Sequence, residues 1–417
     1  DGANVLVPER EQSASAWTRV AAGSTHTCAL QGDGTLWCWG YGGDGQLGNP
    51  ATGKSLVPVP KRTMDADFGP VVLGYAHACA LKTGGSLWCW AGNKDGQLGD
   101  GSTIQRFLPV REATAAADWT GFSASGGYTC AVKNDHSLWC WGKGDQGQLG
   151  SNLPTGASAP VRESTLAGDW VKTAAGGEHA CAIKTDGSLW CWGRGDSGQL
   201  GDGLSTGGYP PVREATQATD WAQVSAGDFH TCAIKMGGSL WCWGANASGQ
   251  FGDNSFTPSP VPVQEFTQAA DWAQVSAGAN HTCAVKTDNS LWCWGYGGNG
   301  RLGDNSTNTS PVPVQEFSAA LDWAQVAAGS THTCAVKTDG TLWCWGTNTF
   351  GELGNNSPSQ SLVPVQEFLG DLDWSQVSTG TSATCASKAD GSIWCWGTDL
   401  NGLVGDRLQY HVSPAVP

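Results

Sequence analysis

Eight cysteines of this chain fall at Cys28, Cys79, Cys130, Cys181, Cys232, Cys283, Cys334 and Cys385, each 51 residues after the one before. A second series follows ten positions behind, at Cys38, Cys89, Cys140, Cys191, Cys242, Cys293, Cys344 and Cys395, so the 16 cysteines form eight pairs. Length alone would suggest two or three domains for 417 residues, but repetition this strict overrides that prior. It calls for one domain of eight copies of a single unit, approximately 17–67, 68–118, 119–169, 170–220, 221–271, 272–322, 323–373 and 374–417, the last closed by 1–16.

Tryptophan keeps the same period. Sixteen of the 23 lie in Trp-Cys-Trp triplets such as Trp37-Cys38-Trp39, and seven more open a unit, at Trp17, Trp119, Trp170, Trp221, Trp272, Trp323 and Trp374. Phe68 takes the eighth opening place. In the sixth unit, residues 271–278, 281–286, 290–295 and 311–316 each read as a short strand, with Pro311 and Pro313 tolerated because the last strand is an edge. Turns of the Thr-Asp-Gly kind join the second and third strands, and 60 glycines supply the tight connections that short strands need.

Four strands per unit is the pattern of a β-propeller, in which twisted sheets pack face to face around an axis. An open solenoid would need atypical capping units, and the end units here are nearly ordinary. The expected fold is therefore all-β, a closed eight-bladed propeller with four short antiparallel strands per blade. Val416 occupies the repeat position of Val59, Val110 and Val365, and Val5-Leu6-Val7 is another extended segment, so one terminus is expected to close the ring beside the other.

Each Cys-x9-Cys pair spans one hairpin, which sets Cys28 opposite Cys38 and Leu30 opposite Leu36. At a non-hydrogen-bonded pair the Cα atoms come within disulfide range, so a disulfide is expected in each unit: Cys28–Cys38, Cys79–Cys89, Cys130–Cys140, Cys181–Cys191, Cys232–Cys242, Cys283–Cys293, Cys334–Cys344 and Cys385–Cys395. Zinc is the rival, since strand alternation brings His26 to the face of Cys28 and Cys38. The histidine, however, becomes Tyr128 and Ala383 in two units while both cysteines persist in all eight. No metal or cofactor is expected. The tryptophans, on the strand face opposite the cysteines, are expected to press on the disulfide face of the next blade.

A formal net charge of −15 repels phosphate backbones, which argues against nucleic acid as a partner. No apolar run reaches the roughly 18 residues that span a bilayer, and no basic-then-apolar leader precedes Asp1, so no membrane insertion is expected and any signal segment would already be gone. Disulfides persist in oxidising compartments, so the expected location is secreted, extracellular or at the cell surface, the periplasm included.

The segment Val20-Ala-Ala-Gly-Ser-Thr-His-Thr-Cys-Ala-Leu30, followed by Asp33-Gly-Thr-Leu-Trp-Cys-Trp-Gly40 and Gly45-Gln-Leu-Gly48, resembles the RCC1 repeat, and the resemblance recurs eight times over essentially the whole chain. It implies a family of propellers, usually seven-bladed, whose members include a nuclear guanine-nucleotide exchange factor and secreted bacterial β-lactamase inhibitors. Eight units and paired cysteines depart from that pattern. The even spacing leaves no room for an inserted catalytic wedge, and disulfides do not persist in the nucleus, so the secreted members are the better guide.

No Gly-x-Ser-x-Gly elbow, His-Glu-x-x-His helix or once-only acidic pair interrupts the repeat, so an enzyme is not expected. The Gly-Gln-Leu-Gly segments read as loop-shaping elements, and the histidines after Gly-x-x as structural groups bonded to backbone. Asn246, Asn280, Asn305 and Asn308 stand in glycosylation sequons.

Function should sit where the units differ. The two residues after the glycine that ends the first strand vary most, and in a propeller they ring one mouth of the central channel. Tyr75, Glu178, Asp228, Phe229 and Asn280 stand out there as candidate partner-binding residues. The expected function is a non-enzymatic binding propeller that recognises another protein through one face of the ring. The alternatives are a multivalent carbohydrate-binding propeller, with sugars in clefts beside exposed tryptophan, and a structural subunit of an extracellular assembly.

Overall fold

The computed structural model describes residues 84–152 and 154–379 without a break. Outside that span it describes the strands 5–10, 17–22, 26–31, 36–41, 54–60, 68–73, 77–82, 383–388 and 393–397, those before residue 77 by their backbone. Eight four-stranded antiparallel sheets account for these residues. In the fourth blade the strands are Trp170–Ala175, His179–Lys184, Leu189–Gly193 and Gly208–Arg213, paired in chain order from the innermost to the outermost.

The inner strands touch one another around the ring, and that of the first blade, Trp17–Ala22, touches the inner strands of both the second and the last blades. The ring is closed. In the last blade the outer place is filled by Val5–Arg10, which pairs with Ile393–Gly397. Val416 lies outside the described residues.

Register puts Cys181 opposite Cys191, and the same pairing holds at every hairpin from Cys28–Cys38 to Cys385–Cys395. Six bridges are described: Cys79–Cys89, Cys130–Cys140, Cys181–Cys191, Cys232–Cys242, Cys283–Cys293 and Cys334–Cys344. The thiols of the first and last pairs lie outside the described residues.

The core is divided among the interfaces between blades. Cys181 and Cys191 pack with Leu189 and Leu200 against Trp221 and Trp243 of the next blade, and the same grouping recurs from interface to interface. Each indole pair sits near 6 Å, as for Trp221 and Trp243 at 5.9 Å. Burial of a large aromatic is worth roughly 2 to 3 kcal/mol, so these interfaces dominate cohesion.

The two tryptophans of a triplet differ. Trp192 is fully buried, whereas Trp190 is half-buried, with its indole N–H donated to Ser188 Oγ and the Lys184 ammonium 4.9 Å above its ring. That ammonium also lies 3.0 Å from Asp169, which immediately precedes Trp170.

Hydrogen bonds tie the Gly-Gln-Leu-Gly loop of one blade to the next. The carbonyl of Gln199 accepts both the indole N–H of Trp243 at 2.9 Å and the hydroxyl of Thr231 at 3.0 Å. Gly201, in the same loop, has φ of +74°, and a Cβ there would lie 2.7 Å from Trp243 Nε1, so only glycine fits.

A buried carboxylate organises each connection to the following blade. Glu163 accepts the N–H groups of Thr165 at 2.7 Å and Ala167 at 2.9 Å and the indole N–H of Trp170 at 3.3 Å. Glu112, Glu214, Glu265, Glu316 and Glu367 hold the same geometry seven residues before the opening tryptophan of the next unit.

Candidate binding face at the channel mouth

The loop from the first to the second strand of a blade, Gly-x-x-His in most units, opens at one end of the channel. The carbonyl of its second variable residue accepts the N–H of the residue that follows the third strand, as Glu178 O does from Arg194 and Phe229 O from Ala245. That pairing sets two variable positions next to each other in blades three to seven. Where both are charged or aromatic, a cluster results.

The fullest cluster crosses three blades. Glu178 accepts the Lys143 ammonium of the preceding blade at 2.7 Å and the Arg194 guanidinium of its own at 3.0 Å. Arg194 also forks onto Asp196, at 2.8 and 2.7 Å, and lies 5.1 Å from the Phe229 ring of the following blade. The Lys143 hydrogen bond, followed by that of Arg194, holds the Glu178 carboxyl below its ordinary pKa, and Lys143 is raised in return by Glu178. The Arg194 hydrogen bond holds Asp196 down as well. Phe229 is 38% exposed beside this charged run.

Asp228 stands next to Phe229, and desolvation against the rim raises its pKa although much of the residue is open to water. Its backbone crowds Gly177 of the preceding blade. Asn280 is exposed one blade further on and takes no part in the cluster; its carbonyl accepts the N–H of Tyr296. Tyr296 in turn lies 4.6 Å from the Arg301 guanidinium, which donates to Ser330 O at 2.7 Å. The structure thus places Glu178, Asp228 and Phe229 in adjoining loops and Asn280 apart. Tyr75 lies outside the described residues. Lys143, Arg194 and Asp196 were missed because they follow the third strand, a position not compared between units, although Lys143, Arg194, Ala245 and Tyr296 vary there openly.

The five described histidines after Gly-x-x do not bond to backbone, as the sequence reading has it, but reach across the blade interface, and the side chain of His26 lies outside the described residues. His77 Nε2 meets Thr129 Oγ1 at 2.9 Å, and His179–Thr231, His230–Thr282, His281–Thr333 and His332–Thr384 repeat the contact. The Thr hydroxyl is spent on a carbonyl, so the ring donates from Nε2 and Nδ1 is left without a partner. Burial lowers their pKa, to about 4 at His77, His230 and His332 and about 3 at His179. Gly176 explains the invariant spacing, since a Cβ there would lie 2.6 Å from the His179 ring.

Two further expectations change. The first tryptophan of each described triplet is half-buried beneath its lysine, so no exposed indole lines the clefts among the described residues, and the premise of sugar binding there is removed. Asn246 is fully buried, with its amide holding the loop through Asp253, Ser255 and Thr257, so that sequon is closed in the folded protein. At the opposite end of the ring, Phe266, Phe317 and Phe368 leave three consecutive blades at equivalent positions, 55 to 61% exposed, with Leu321 and Leu372 nearby in sequence. Blades three and four carry Ser164 and Ala215 there.

The RCC1-like domain model matches residues 153–416, and regulator of chromosome condensation (RCC1) repeat models match 17–46, 71–97 and 33–81. The chain is 33% identical over 290 residues to the ultraviolet-B receptor UVR8 of Arabidopsis thaliana, covering 68% of this chain and 66% of that one. It is 30% identical over 375 residues to the mitochondrial RCC1 domain-containing protein RUG3 of the same plant, covering 81% and 83%. To the human E3 ubiquitin-protein ligase HERC2 it is 28% identical over 340 residues, which span only 7% of that protein. Among solved structures, Prp20p of Saccharomyces cerevisiae superposes with a TM-score of 0.68 at 19% identity, over 94% of each chain, and human WBSCR16 with 0.67 at 19%, over 87% and 99%. From the repeat, the sheet order and these matches alike, the chain belongs to the RCC1-repeat family of β-propellers.

Proposed function

We propose that the protein is a secreted or surface-displayed propeller that recognises another protein through the Gly-x-x face of the ring and performs no chemistry of its own. The carrying observation is the Lys143–Glu178–Arg194–Phe229 run, a break in the repeat that spans three blades and ends in an exposed aromatic. Arginine and aromatic anchors on a rigid frame supply most of the energy in protein interfaces. The disulfides favour an oxidising setting. The buried histidines share one structural contact across five interfaces, which favours a framework role over catalysis.

Affinity capture from the native secretome or cell envelope, with the intact protein as bait and an Arg194→Ala/Phe229→Ala variant as control, tests this. A partner held by the parent protein and lost by the variant, with thermal stability unchanged, is the expected result. Equal capture by both would remove the face from consideration.

The arc of Phe266, Phe317 and Phe368 favours a second reading, a subunit of an extracellular assembly that buries this apolar edge. Sedimentation of the native particle settles between them: an assembly dispersed by replacing the three phenylalanines with serine supports it, and a monomer with either sequence overturns it.

A further inference from the structure

The inner strands turn a free edge toward the neighbouring blade, and in much of the ring a side chain closes that edge. In the sixth blade the Gln274 amide imitates a strand: Oε1 accepts the N–H of Val326 at 3.2 Å, and Nε2 lies 3.5 Å from the carbonyl of the same residue. Gln325 accepts the N–H of Val377 at 3.2 Å one blade on. In the fifth and fourth blades Gln223 and Lys172 donate instead to the carbonyls of Ala273 and Ala222, at 2.9 and 2.7 Å.

The third blade has Gly121 at this place. Gly121 pairs with Val132 as Gln274 pairs with Val285, and Thr173 pairs with Ala182 as Val326 pairs with Ala335, so the backbone presents the same edge without the amide that closes it in the sixth blade; the Ser123 hydroxyl crosses instead to the hydroxyl of Thr173, not to its backbone. A Cβ built at Gly121 would meet nothing within 4 Å. The space is a notch of about 290 Å³, lined by Phe122, Val132, Val171 and Thr173, with Lys172 at its side. Among the described residues Lys172 has no carboxylate partner; its ammonium rests on a carbonyl.

We propose that this notch is a binding site for a small carboxamide that also carries a carboxylate. The carboxamide takes the place that Gln274 holds three blades away, its oxygen accepting the Thr173 N–H and its NH2 group donating to the Thr173 carbonyl, while the carboxylate lies toward Lys172. The aliphatic chain between them packs on Phe122 and Val132. This site is on the channel wall, separate from the face assigned to protein recognition.

N-acetylglutamine added to the 15N-labelled intact protein is the probe. The expected result is a saturable shift of the Thr173 amide, weakened about tenfold for N-acetylnorvaline, which keeps the carboxylate and loses both amide hydrogen bonds. Gly121→Gln should abolish the shift by filling the notch from within, and Gln274→Gly should open a second site reported by Val326. No saturable change at Thr173, or one that survives Gly121→Gln, overturns the proposal.

Discussion

His179 Nε2 lies 2.8 Å from the hydroxyl of Thr231 in the next blade, and that hydroxyl in turn donates to the carbonyl of Gln199. The contact joins the second strands of two blades through a loop of the first, so it measures how firmly neighbours are held. Thr231→Val keeps the shape and removes the acceptor, leaving a buried imidazole N–H alone. A loss of about 1 to 3 kcal/mol in urea unfolding is expected, and a change within error would show the bridge to be idle.

Acid should loosen the ring well above the carboxylate range. In the folded protein His77, His230 and His332 are held down to about 4 and His179 to about 3, below the ordinary 6.5, because burial disfavours the charged ring; burial also lowers His281, and Arg301 further opposes charging of His281 and His332. Below pH 6.5 the unfolded chain takes up protons that the folded one refuses. Stability is therefore fully present above 6.5 and falls as pH drops toward 4, by up to about 1.4 kcal/mol per pH unit for each histidine. Urea midpoints at pH 7.5, 6 and 5 read the slope, and His179→Gln should flatten it.

Glu163→Ala would orphan two backbone N–H groups and the indole N–H of Trp170 in one step. Each unmade buried bond costs about 1 to 3 kcal/mol, so a loss of roughly 3 kcal/mol or more is expected in thermal or urea unfolding. Substituting the exposed Asp196 should change the same measurement by less than about 0.5 kcal/mol.

Alkylation of the unreduced, denatured protein followed by mass measurement should find none of the six described cysteine pairs labelled. After reduction, each opened bridge should cost up to about 2 to 3 kcal/mol, less where the hairpin persists in the unfolded chain. Labelling without a reductant would remove the basis for an oxidising location.

What the sequence made plain was whatever repeats within a unit. The strands, the Cys181–Cys191 register and the contact of a disulfide with the next blade's tryptophans all follow from alternation and from a ten-residue spacing. Contacts between units were harder to read. The partner of His179 is 52 residues away, and the sequence hints at it only once: where the next unit has Ala180 instead of threonine, Tyr128 replaces histidine and its hydroxyl reaches the carbonyl of His179 at 2.6 Å, whereas His26 is kept although the matching place in the next unit is Ala78. Glu163 was passed over because a carboxylate in a polar turn looks solvated, although its fixed distance from Trp170 recurred in unit after unit. Of the candidate face, Glu178 and Phe229 were visible as departures from the repeat, while the guanidinium between them was hidden at a strand end that only folding brings alongside.

Val5–Arg10 completes the sheet of Ile393–Gly397, and Val5 pairs with Gly397, 392 residues later. A strand synthesised before all of the other strands of the ring therefore waits for the one synthesised after them. Until they meet, seven finished blades have an open side on which indoles and strand edges face water, and closing so long a loop is the slow, entropically opposed step. Cleavage between Arg10 and Trp17 would sever that clasp without breaking a disulfide, leaving a set of bridged blades on a ring free to gape.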